Sequence, residues 1–225
     1  MFTTERRAAT WARRRALCGI VFLIGVHYAT DARAQLAQPI GRYVVDARIT
    51  LARFKEDPGI AAAIGVRPVN LPTRGLGFVV GAHLYPLRGK RVALGLGAEF
   101  LAARDHRTLP TADAAEEEGP TVETQLSSFA PQLSLNFGKR DGWSYISGGI
   151  GSATFTAERT DEPLGEGSRA RTINYGGGAR WFTNKHLAVS VDLRFYSVAA
   201  QPGSTTRPAF PKSKMMVISG GIAFR

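Results

Sequence analysis

Cysteine is nearly absent. The 225 residues contain one, Cys18, buried inside an apolar run near the start. More apolar residues follow it, so it is not placed like a lipid-bearing cysteine at the end of such a run. The chain after residue 34 has no thiol, which excludes disulfide staples and thiolate chemistry there. Long apolar runs are missing as well. Nothing after residue 34 approaches the ~18 consecutive apolar residues that a spanning helix needs. Runs of Lys and Arg are missing from the same stretch, although the whole chain carries a net charge of +11. Its cations are scattered, which argues against nucleic acid as a partner. A nucleotide fingerprint is absent too. The glycines of GGIG (148–151) and YGGGAR (175–180) lie inside alternating stretches, not between a strand and a helix.

What the first 34 residues do have is a leader pattern. Arg6, Arg7, Arg13, Arg14 and Arg15 precede the apolar residues 16–26 (ALCGIVFLIGV), and Ala32-Arg33-Ala34 follows. A basic region, a short apolar region and an A-x-A site predict a secretory signal peptide cleaved before Gln35. Residues 35–40 are then a lead-in, and residues 41–225 form one domain.

That domain alternates. Successive side chains of a strand point to opposite faces, so an apolar/other/apolar rhythm marks a strand with two distinct faces. In residues 41–54, Tyr43, Val45, Ala47, Ile49 and Leu51 share one face, while Asp46, Arg48 and Thr50 share the other. The rhythm recurs over residues 75–86, 91–102, 124–137, 143–157, 172–182, 186–198 and 214–225. Residues 143–157 leave their facing open: Ile146 and Ile150 favour one parity, Trp143, Tyr145 and Phe155 the other. Pro131 lies inside the fourth stretch, where it removes a ladder donor, so a bulge is expected there. Eight strands result, joined alternately by short turns and by long segments at about 55–74, 103–123, 158–171 and 199–213.

The strands are long enough for the ~9–11 residues that cross a bilayer at a tilt. Their large apolar face recurs in nearly every strand. The other face carries Asp46, Arg48, His83, Glu99, Gln132, Asn136, Arg180, Asp192 and Arg194 among many Gly and Ser. A soluble barrel with an apolar lining would reverse this arrangement. A lipid-facing exterior accounts for it, and in lipid the sheet must close to pair its backbone. The expected fold is all-β: an eight-stranded antiparallel up-and-down transmembrane β-barrel. Tyr43, Tyr85, Phe137, Trp143, Tyr145, Trp181, Phe182 and Phe224 cluster near the short-turn level, as an interfacial girdle does.

The leader, the eight amphipathic strands, the loop pattern and the last strand KMMVISGGIAFR (214–225) resemble the small outer-membrane β-barrel family of Gram-negative bacteria, over residues 41–225. The terminal strand, ending near Phe224, is similar to the signal read by the barrel-assembly machinery. Arg225 follows the aromatic, whereas in the family the aromatic is commonly last. The resemblance implies a porin-like superfamily, a place in the outer membrane among its lipids, insertion by that machinery, and long loops outside the cell. It implies no single activity.

The interior charges Asp46, Arg48, Glu99, Arg180, Asp192 and Arg194 are the best candidate site. In a narrow barrel, charges of both signs must pair. Two readings stand: a packed polar plug in a scaffold that displays its loops to an unknown extracellular ligand, or the lining of a narrow pore for solutes or ions. No catalytic residue, cofactor or metal ligand is expected. The acidic residues 113–118 with His106 lack calcium-loop spacing, and His83, His106 and His186 do not converge with a Ser and an acid.

Overall fold

The computed structural model describes residues 40–110, 119–164, 167–205 and 207–225. The expected leader, the lead-in before Ile40 and the acidic residues 113–118 lie outside them. The described residues form a closed barrel of eight strands in sequence order. They are β1 (Tyr43–Arg53), β2 (Arg74–Arg88), β3 (Val92–Thr108), β4 (Thr121–Lys139), β5 (Gly142–Arg159), β6 (Arg169–Phe182), β7 (Leu187–Val198) and β8 (Ser213–Phe224). Every neighbouring pair is antiparallel, and β1 closes on β8 from Val45↔Phe224 to Arg53↔Met216.

Alternation sets the two faces. β1 reads exposed, buried, exposed along its whole length, and β7 does so from Leu187 to Tyr196. Ile49, Leu76, Leu133, Ile150 and Ile222 stand on the exterior. Such a wide apolar surface is stable only against lipid. The fifth strand resolves with the parity of Ile146 and Ile150 facing outward. Ile146 and Ile150 are 58% and 62% exposed, whereas Trp143 and Tyr145 are 3% and 4%.

Several expectations need correction. The segment expected over 103–123 is strand at both of its ends, because β3 runs to Thr108 and β4 starts at Thr121. Residues 158–159 and 169–171 likewise belong to β5 and β6. The segment after β1 contains a short helix, α1 (Pro58–Ala63). Asp57 caps it by accepting from the Gly59 and Ile60 amides, and Pro58 opens it. Pro131 makes no bulge. It stays in register opposite Ala98, and the β4–β5 ladder skips it and resumes unshifted at Gln132↔Gly149. Gly149 and Gly151 permit this close approach, since a Cβ at either would come within 2.3 or 2.1 Å of a β4 carbonyl. The register shift falls instead between Leu84 and Leu87, around Pro86, which likewise has no amide to donate.

The girdle is only half a girdle. Tyr43, Phe137, Trp181 and Phe224 are exposed on the outside, whereas Tyr85, Trp143 and Tyr145 are buried inside the barrel. Phe182 packs against that inner group, its ring 4.8 Å from that of Trp143.

Candidate functional site

The interior has three zones. At the short-turn end, Ile40, Val44, Tyr85, Ala93, Trp143, Tyr145, Ala188 and Ala223 pack together. At the long-loop end, strand residues such as Val79, Leu101, Leu126, Phe155, Met215 and Val217 meet Ile60, Ile64, Leu71 and Phe210 from the loops. Between them lies the charge network.

All six expected charges are buried and brought together. Alternation on β1 aims Asp46 and Arg48 inward side by side, and Arg48 Nε lies 3.0 Å from Asp46 Oδ1. The rest of the Arg48 guanidinium reaches across the barrel. It pairs with Glu99 of β3, and its Nη1 is 3.2 Å from Asp192 Oδ2 of β7. Arg180 of β6 donates to the second Asp46 oxygen at 2.5 Å. Arg194 lies 3.3 Å from Glu99 Oε1 and 3.2 Å from Asp192 Oδ2. Three carboxylates therefore meet three guanidiniums. Mutual pairing offsets the several kcal/mol per ion that burial costs.

Neutral groups complete the site; of these the sequence placed Gln132 on the inward face but joined none of them to the charges. Tyr145 donates to Asp192 at 2.7 Å, and Tyr196 donates to Glu99 at 2.7 Å. Arg194 donates to Gln132 at 2.9 Å, Asn174 at 3.0 Å and Ser147 at 2.7 Å. Arg180 also stacks on the Tyr145 ring, 4.2 Å from its centroid. A signal for Tyr145 was present. Its register partner is Gly178, where a Cβ would sit 2.7 Å from the Tyr145 hydroxyl. A strand that withholds a side chain makes room for a large neighbour.

Phe224 behaves differently. It is exposed on the exterior, pairs with Val45 and Leu187, and stacks on His186 with ring centroids 5.8 Å apart. Arg225 turns inward beneath it. Its amide donates to His186 O at 3.0 Å, its side chain to Lys185 O at 2.9 Å and to Arg140 O, and it stacks on Phe182.

No protein-family model matches the sequence, and no curated protein matches it. Solved structures do match. Neisserial surface protein A aligns over 82% of this chain and 97% of its own, with 11% identity and a TM-score of 0.53. The fold is that of a small outer-membrane β-barrel. The attachment invasion locus protein Ail of Yersinia pestis aligns over 82% and 99%, at 14% identity and a TM-score of 0.46. The outer-membrane protease OmpT of Escherichia coli aligns over 81% and 96%, at 10% identity and 0.42. At these identities the likeness is one of fold, and the apolar exterior of the barrel matches it.

The three described histidines stand apart from one another in this barrel. His83 is buried in the lumen, with neither ring nitrogen hydrogen-bonded among the described residues. His106, expected in a loop, lies on β3 opposite Glu123. His186 sits at the β6–β7 turn against Arg225.

Proposed function

We propose that the protein is a non-enzymatic outer-membrane scaffold whose filled lumen holds a rigid frame for the long loops, displayed outside the cell to a ligand. The observation that carries this is Arg48, which ties β1 to β3 and β7 through Asp46, Glu99 and Asp192. A guanidinium tied to three strands leaves little room for a water column in an eight-stranded barrel. Apolar packing on both sides of it supports the same reading. The leader is removed after Ala34, giving a mature protein that starts at Gln35 by intact mass. The terminal strand with Phe224 serves as the signal for the assembly machinery. Purified protein in a planar bilayer is expected to give no steady single-channel conductance.

The second reading is a narrow pore for small solutes or ions. One observation favours it. His83, Asn136 Oδ1, Ser190 Oγ and Arg180 Nε are buried without hydrogen-bond partners among the described residues. Buried polar atoms of this kind are served by water, so they suit a hydrated path at the short-turn half. Steady conductance, with ion selectivity altered in Arg48→Ala or Asp192→Ala, would replace the scaffold by the pore.

A further inference from the structure

The short-turn mouth of the barrel is shut, and one side chain ties its turns together. Arg225 follows Phe224 on the inward parity of β8, in step with Ala223. It is only 9% exposed although it stands at a mouth. Its amide holds the β6–β7 turn through His186 O at 3.0 Å, and its Nε holds the same turn through Lys185 O at 2.9 Å. Its Nη1 crosses to the β4–β5 turn and donates to Arg140 O. The guanidinium lies over the Phe182 ring, 3.6 Å from its centroid, and 5.8 Å from that of Trp143. Its stem passes Gly41, where a Cβ would come within 3.2 Å of Arg225 Cδ. The end of β2 joins through Arg88, which donates to Ile40 O at 3.4 Å. Ile40 is itself buried in the cluster that holds Trp143 and Tyr85.

What Arg225 lacks is an acid. Among the described residues it makes no ion pair, whereas Arg48, Arg180 and Arg194 each meet a carboxylate. Withdrawing one of those three leaves a buried acid uncompensated. Withdrawing Arg225 breaks no ion pair. It frees carbonyls on two turns whose Lys185 and His186 are exposed, and water can serve such carbonyls in its place. A guanidinium bonded only to neutral acceptors at a solvent boundary is a movable part. The same group inside the charge network is a fixed one. Behind Arg225 lie Trp143 and Tyr85, and then a half-lumen where His83, Asn136 Oδ1 and Ser190 Oγ have no hydrogen-bond partner among the described residues.

We infer that Arg225 is the bolt of a gate at the short-turn mouth, and that its withdrawal opens this half of the lumen to water and small solutes from that side. The gate holds under either reading of the lumen. In a scaffold it leads to a closed chamber that ends at the charge network. In a pore it governs the path. It also gives a use to the residue that follows the aromatic of β8.

The test reads the exposure of Trp143 in the full barrel in nanodiscs. Trp11→Phe with Trp181→Phe leaves Trp143 as the single indole of the chain. The probe is acrylamide, a small neutral quencher of indole fluorescence. In this background Trp143 should be almost fully shielded. Arg225→Ala should raise the quenching constant roughly threefold or more, because the side chain that covers the mouth is gone. Arg225→Lys keeps the charge but cannot fork to two turns, so it should raise the constant about twofold. That variant carries the comparison should Arg225→Ala not fold. Methylguanidinium at millimolar concentration should restore shielding in Arg225→Ala, a rescue that a merely loosened barrel would not show. Ile60→Ala, which thins the long-loop end, should leave Trp143 shielded, and so fixes the side of entry. Equal quenching with and without the Arg225 side chain would overturn the bolt. Strong quenching in the background protein would show an open mouth and overturn it as well. Exposure that methylguanidinium does not reverse would make Arg225 a structural residue only, and would overturn the gate.

Discussion

The middle of the lumen and its long-loop end are both filled, but by opposite physics. In the middle, charges are held by partners on strands far away in sequence, as Arg180 is by Asp46. Each group there is specified by a few named partners, and removal of one leaves the charge of the rest unbalanced. At the loop end, Val79, Leu101, Phe155 and Val217 pack with Ile60 and Phe210. There each side chain contributes through area and shape, and loss of one leaves a gap that neighbours can partly close. The middle fixes which strands face one another. The loop end fixes how the loops sit on the barrel mouth.

That difference can be tested by breaking each zone in turn. Arg48→Ala leaves three carboxylates to two guanidiniums, so one buried negative charge is uncompensated, and the expected loss is about 4 kcal/mol. It is read by urea unfolding in lipid vesicles and by a lower temperature for the heat-dependent gel shift. A loss under about 1 kcal/mol would mean that the network is not rigidly paired. Phe155→Ala removes an aromatic that touches Phe54 and Phe210 at centroid distances of 6.1 and 6.2 Å. The expected loss is about 3 kcal/mol. Ile60→Ala thins the loop plug from α1, with an expected loss of about 2 kcal/mol. Protease cutting in the β1–β2 loop should rise while the strands remain protected.

Tyr196 belongs to both zones, since its ring packs in the apolar cluster and its hydroxyl donates to Glu99. Tyr196→Phe keeps the ring and deletes the bond, so the expected loss is about 1.5 kcal/mol. A neutral outcome would detach the two zones from one another. The smallest effect is salt. Raising ionic strength to about 1 M shortens the screening length to about 3 Å. It should leave wild-type unfolding nearly unchanged, because these pairs are shielded from solvent. A marked salt dependence would mean that water reaches the network.

The same zoning explains what the sequence could and could not disclose. The strands and the six charges were legible because Asp46, Arg48, Asp192 and Arg194 stand out against an apolar outer face. In the loop-end half the contrast fades, since the inward face turns apolar while the outward one turns polar: Leu126 of β4 is buried between Gln125 and Ser127. The fifth strand was ambiguous because its inward side chains are large. Its inward face holds Trp143, Tyr145 and Phe155, as bulky as the lipid-facing isoleucines. Aromatics near a membrane surface suit either an outer girdle or an inner plug. Gly178 opposite Tyr145 makes room for an inward ring, but exterior Tyr175 also faces a glycine, Gly148, so the pairing alone does not separate the two. The proline difference was invisible for another reason. Pro131 and Pro86 lack the same donor, and what differs is the spacing allowed by Gly149 and Gly151 on the strand beside Pro131.

The reach of Arg48 also imposes an order in time. Its carboxylate partners are Asp46 beside it, Glu99 51 positions away, and Asp192 in the last quarter of the chain. A ribosome delivers the first arginine long before the last acid. No single hairpin holds the whole set, so the centre cannot mature ahead of the β1–β8 seam. Until the seam shuts, hydrated ions must ride on strands whose other face already seeks lipid. The final clasp of β8 onto β1 is thus the step that dries the middle of the barrel. A chain arrested before Asp192 would be both membrane-seeking and open to water, and not a smaller version of the finished barrel.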